Sequence, residues 1–121
     1  LAPKSMRKAV CEKAGQALSD GQIVRCIYES LAKSYAEAVG QLSCVLSVKF
    51  DRLHIIGGGC RDAFLNSLTA KRTGLEVVAG PVEATSLGNL LVQMIAGGDF
   101  EGIAQGRAAI EASFGLEKYS A

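Results

Sequence analysis

The chain has 121 residues, enough for one modest domain. Apolar residues make up 49% of it, which allows a core and argues against disorder. Thirteen basic and twelve acidic residues leave a net charge of +1 with no basic stripe, which disfavours a nucleic-acid partner.

No apolar run approaches membrane-spanning length, so no membrane partner is expected. No secretory signal is visible. The chain starts at Leu1 rather than Met, which suggests a piece of a longer protein. Cys11, Cys26, Cys44 and Cys60 include no C-x-x-C pair, so zinc is not expected. The chain lacks the loop-rich look of a disulfide scaffold, and reduced thiols in a cytosolic protein are the better reading. Cys26 falls on an apolar helix face and reads as core.

Residues 3–16 read as a short helix, with Pro3 in the first turn and Met6, Val10 and Ala14 on one face. Gly15 marks its stop. Residues 20–42 form the strongest helix. Ser19 and Gln22 make a capping box, and Ile23, Ile27, Leu31, Tyr35, Val39 and Leu42 recur as one apolar stripe. Residues 52–57 read as a strand and 61–73 as a helix. That helix has Asp62 in its first turn, Phe64, Leu65 and Leu68 inward, and Gly74 at its end. A second strand covers 75–79. A helix over 83–96 follows, ended by Gly97-Gly98. Asp99 is expected to cap a last helix over 100–113, with Phe100, Ile103, Ala104, Ala108 and Ile110 as its inner face. The tail from Gly115 reads as irregular.

The predicted class is therefore α/β: two parallel strands with flanking helices, built on one right-handed βαβ unit. Two strands are too few for a stable sheet. Partner strands are expected from elsewhere in a larger protein or from another chain.

Two strand ends carry the chemistry. After the first strand comes Gly57-Gly58-Gly59, then Cys60-Arg61-Asp62 and a helix. Glycines allow a ligand close to the backbone. The helix N-terminus behind them favours an anion such as a phosphate. The plain alternative is a tight turn. The dinucleotide pattern G-x-G-x-x-G fails, because Asp62 stands in place of the third glycine. After the second strand comes Gly80-Pro81-Val82-Glu83-Ala84-Thr85-Ser86-Leu87-Gly88-Asn89. Ligands of open α/β sheets gather at the carboxyl ends of strands, and both loops leave the sheet on that edge. The single histidine, His54, lies inside the first strand and reads as a packing or edge residue. A catalytic role would require a nucleophile or partner base beside it.

Together the two loops resemble the C-terminal nucleotide-binding part of the FGGY carbohydrate kinases. The residues that carry the likeness run from Leu53 to Asp62, with Leu65-Asn66 and Gly80 to Asn89. Within that family the GGGC turn and the GPVEA…LGN segment are most similar to the rhamnulokinase branch. The helix around Arg25-Cys26-Ile27-Tyr28-Glu29-Ser30-Leu31-Ala32 resembles that branch as well. The similarity extends roughly from Ser19 to Asn89. Ser67 and Lys71 stand where many family members have Gln and Asp.

The resemblance implies an actin-like ATPase (ribonuclease H-like) fold of two lobes with ATP between them. It implies transfer of the γ-phosphoryl group of Mg-ATP to L-rhamnulose in the cytoplasm. Gly57, Gly58 and Gly59 then contact the phosphates and ribose. Arg61, Asp62 and Asn66 line the adenosine pocket, and Glu83 and Ala84 close its adenine side. The implied cofactors are ATP and Mg2+. The implied partners are a small sugar and the N-terminal lobe of the same kinase. The catalytic aspartate, the sugar site and the first strands of this lobe would precede Leu1. Residues 1–121 would then be an incomplete C-terminal ATP-binding part, inactive alone and prone to self-association. Two other readings remain: a non-catalytic actin-fold nucleotide-binding or regulatory module, and a helical interaction domain whose glycine turn is only structural.

Overall fold

A computed structural model describes residues 3–121. Helix α1 (Met6–Ala14) starts later than expected, because the Ser5 hydroxyl accepts the Lys8 N–H at 3.4 Å and makes Ser5 the cap. Pro3 thus lies ahead of the helix. Gly15 closes α1 at φ 68°, and no α1 residue is buried.

Helix α2 (Asp20–Leu46) has the capping box: Ser19 N–H donates to Gln22 Oε1 at 2.9 Å, and Gln22 N–H donates to the Ser19 hydroxyl at 3.4 Å. The helix runs past Gly40, where an added Cβ would meet nothing within 4 Å, and stops at Ser47 in a left-handed conformation. Its apolar stripe is only partly covered. Ile23 and Ala32 are buried, but Leu42 remains 52% exposed. Cys26, expected in the core, is half-buried, and all four cysteines are free thiols.

Strand β1 (Arg52–Ile55) leads through a 3-10 turn at Gly58–Arg61 into helix α3 (Ala63–Thr73). Strand β2 (Glu76–Ala79) follows, then helix α4 (Ala84–Gly97), helix α5 (Ile103–Ser113) and strand β3 (Glu117–Tyr119). The sheet order is β1-β2-β3. β1 and β2 are parallel, with Leu53 opposite Val77 and Ile55 opposite Ala79. β3 is antiparallel to β2, with Lys118 opposite Val78. The central strand therefore supplies the core residues Val77, Val78 and Ala79, while Ala32, Ala70, Asn66 and Thr69 are buried on the helices.

Four further expectations are corrected. The sheet has three strands, not two, and the tail after Gly115 is not irregular, since Leu116 packs at Gly80 and β3 pairs with β2. Asp99 does not cap the last helix. Its N–H donates to the Met94 carbonyl at 2.9 Å, behind Gly98 at φ 88°, so it finishes α4, and α5 starts after Gly102. The inner face of α5 also differs. Ile103, Ala104 and Ala108 are exposed, and Gly106 is the buried residue, lying against Leu91 of α4.

Among the described residues, no helix is long and apolar enough to cross a membrane.

Candidate functional site

The site forms where β1 and β2 end. Parallel strands put both following loops on one edge of the sheet, and here the loops are bonded to each other. Gly57 N–H donates to the Pro81 carbonyl at 3.4 Å, and Gly80 N–H donates to the Ile55 carbonyl at 2.8 Å. Between them and the entry to β3 lies a cleft of about 550 Å3. Cys60, Arg61, Gly80–Glu83, Phe114 and Glu117 are among its lining residues.

The triglycine turn is shaped by two kinds of constraint. Gly57 sits at φ 76° with extended ψ, a conformation open to glycine and strained for residues with a Cβ. Gly58 and Gly59 are exposed, and a Cβ built on either meets no atom within 4 Å. The protein itself therefore gives no packing reason for glycine at those two positions. The turn closes through Cys60 N–H to the Gly57 carbonyl at 3.1 Å and Asp62 N–H to the Gly59 carbonyl at 3.2 Å.

Asp62 is the N-cap of α3. Its Oδ1 accepts the Leu65 N–H at 3.0 Å, and its Oδ2 accepts the Tyr28 hydroxyl at 2.6 Å. The Tyr28 hydrogen bond, followed by the backbone N–H donors, holds the Asp62 carboxyl below its ordinary range. The same bond raises Tyr28 above its ordinary value. The dipole end of α3 thus already faces a carboxylate. An anion at this edge is left with the open glycine backbone and the nearby Arg61.

The other candidates fall in different places. Arg61 and Glu83 both line the cleft. Asn66 is fully buried beneath the turn, where its Nδ2 donates to the Cys60 carbonyl at 2.8 Å. Ala84 opens α4 and lines a separate space with His54, Ile56 and Gly88. Glu83 makes no side-chain cap bond. Its carboxylate and that of Glu117 are suited to accept from hydroxyl and amino groups, and they repel phosphates. The glycine side of the edge suits an anion, and the cleft suits a polar, neutral group. Glu117 escaped the sequence reading because a three-residue strand leaves no periodic signal. Tyr28 escaped because its partner lies far along the chain.

Among the described residues, no three His, Cys, Asp or Glu side chains converge to hold a cation.

The chain resembles known proteins along nearly all of its length. The model of the FGGY family of carbohydrate kinases, C-terminal domain, matches residues 1–97. A rhamnulokinase of Halalkalibacterium halodurans is 41% identical over 124 aligned residues, which cover 98% of this chain and 27% of that protein. The chain thus spans about a quarter of the length of that curated relative. The chain belongs to the FGGY family of carbohydrate kinases, and matches its C-terminal domain.

Proposed function

We propose that residues 1–121 form the ATP-binding C-terminal part of a cytoplasmic sugar kinase with an actin-like ATPase fold. The kinase transfers the γ-phosphoryl group of Mg-ATP to L-rhamnulose, giving L-rhamnulose 1-phosphate. The observation that carries this reading is the junction of the two strand-end loops: Gly57 is bonded to Pro81, while Gly58 and Gly59 stand open with nothing where a side chain would go. The phosphates lie along that open backbone beside Arg61. The ribose and base turn toward the cleft, where Glu83 accepts hydrogen bonds. The rhamnulokinase relative supports the choice of sugar. Phosphoryl transfer works by positioning and electrostatics between lobes. On this reading residues 1–121 supply one side of that arrangement, and the chain alone is expected to show no sugar-dependent ATP turnover.

In the complete kinase, Gly58→Val tests the reading. The fold has room for the new side chain, so the variant stays folded, and the KM for ATP rises about tenfold or more through steric exclusion of the ligand. A folded variant with unchanged ATP kinetics would show that the turn is structural only.

A further inference from the structure

We infer that Tyr28 is a positioning residue for nucleotide binding: its hydroxyl anchors Asp62, and Asp62 holds the triglycine turn in the shape that receives ATP. The inference rests on the ATP-binding reading above and adds to it a residue on a distant helix.

The turn has no side chains of its own to hold it. Glycine is the residue with the most backbone freedom, so the order of Gly57–Gly59 must come from neighbours. Asp62 is the neighbour that supplies it. Its backbone N–H closes the turn on the Gly59 carbonyl at 3.2 Å, and one carboxylate oxygen caps α3 at Leu65 N–H. The other oxygen accepts the Tyr28 hydroxyl at 2.6 Å, a short bond to an ionised acceptor. Asp62 is thus fixed to α2 and α3 at once.

The aim of the Tyr28 hydroxyl is itself preset. Its ring meets Phe64 edge-on, with centroids 5.3 Å apart and planes at 81°. Phe64 is in turn covered by the Arg25 guanidinium at 5.3 Å. On the far side of the turn, Asn66 Nδ2 braces the Cys60 carbonyl at 2.8 Å. Without the Tyr28 anchor the carboxylate keeps its cap bond to Leu65 N–H but loses its tie to α2. The glycines then sample more conformations, and ATP must bear the cost of ordering them. The effect falls on nucleotide affinity and leaves the sugar site alone.

The test uses the full-length kinase with Tyr28→Phe, which keeps the ring contact with Phe64 and removes only the hydroxyl. ATP affinity is read by titration calorimetry, and steady-state kinetics are read for both substrates. The Kd and KM for ATP are expected to rise about fivefold, the scale of one lost hydrogen bond. The sugar KM is expected to be unchanged, and kcat to stay within about twofold. Asp62→Asn weakens the same link, so it costs less ATP affinity in the Tyr28→Phe background than in the wild type. Wild-type ATP affinity in Tyr28→Phe overturns the inference and leaves the ATP-binding reading standing. So does a variant that loses ATP and sugar affinity together with its melting temperature, since that marks a purely structural bond. A wild-type kinase that binds no ATP overturns the ATP-binding reading itself.

Discussion

Asp62 and Glu29 are the two carboxylates that tie α2 to α3. Asp62 takes the Tyr28 hydroxyl, and Glu29 takes Arg72 of α3 at 2.5 Å and Arg25 of its own helix. Both carboxyls sit below their ordinary values, Asp62 chiefly through Tyr28 and Glu29 chiefly through Arg72 and then Arg25. A carboxyl with a depressed folded pKa contributes stability above its unfolded pKa, near pH 4, and loses it as pH falls through the folded value. Acid should therefore loosen the α2–α3 contact beside the glycine turn. Both groups reach solvent, so salt weakens the effect. The expected result is a urea midpoint that falls more steeply below about pH 4 in the wild type than in an Asp62→Asn, Glu29→Gln double variant. Parallel acid profiles for the two proteins would show that these carboxylates do not link folding to pH.

At the level of elements, α4 and α5 meet closely at a glycine. Gly106 lies so close to Leu91 that an added Cβ would stand 1.8 Å from Leu91 Cδ1 and 2.9 Å from its Cγ. The whole leucine side chain must move, since more than its tip is struck. Gly106→Ala gains helix propensity, but overpacking costs about 1–3 kcal/mol and wins. The variant should have a lower denaturation midpoint. A midpoint equal to or above the wild type's would mean that α4 and α5 separate without loss. This same contact shows what the sequence conceals. The capping box at Ser19, the left-handed stops at Gly15 and Gly74 and the long period of α2 are local signals, and they were legible. The inner face of α5 was not, because a glycine at a helix crossing carries no hydrophobic mark. β3 was hidden because three residues are too few to show alternation. At the site, the glycine turn and the Gly80–Glu83 loop were legible as strand-end loops. The Asp62 cap on Leu65 N–H is a local signal, missed because the helix was read from residue 61, whereas the tie of Asp62 to Tyr28 and the brace role of Asn66 depend on partners that pattern does not reveal.

At the scale of the whole molecule, one side of the structure is uncovered. Among the described residues β1 pairs only with β2, so its other edge carries free backbone donors and acceptors. Beside that edge, an apolar groove of about 410 Å3 runs between α2 and β1, lined by Tyr35, Val39, Leu42, Leu53 and Ile55 among others. Near it Val45 is 81% exposed and Ile56 56% exposed. An exposed edge strand next to apolar surface is a template for pairing, and contiguous apolar surface of this kind marks an interface. The third strand removes one edge of the sheet from the problem and leaves this one. In the proposed kinase, strands from the rest of the lobe cover it. In isolated residues 1–121 nothing among the described residues does, so copies are expected to meet edge to edge along β1, burying Tyr35, Leu42 and Ile56. Sedimentation velocity at micromolar concentration should then show dimers or larger species, and a Leu53→Lys substitution in the groove should shift them toward monomer. A compact monomer with a cooperative melt would mean that α2 and the three-stranded sheet stand without a partner. The open edge would then be a tolerated feature of the fold and not the seam at which this chain joins another.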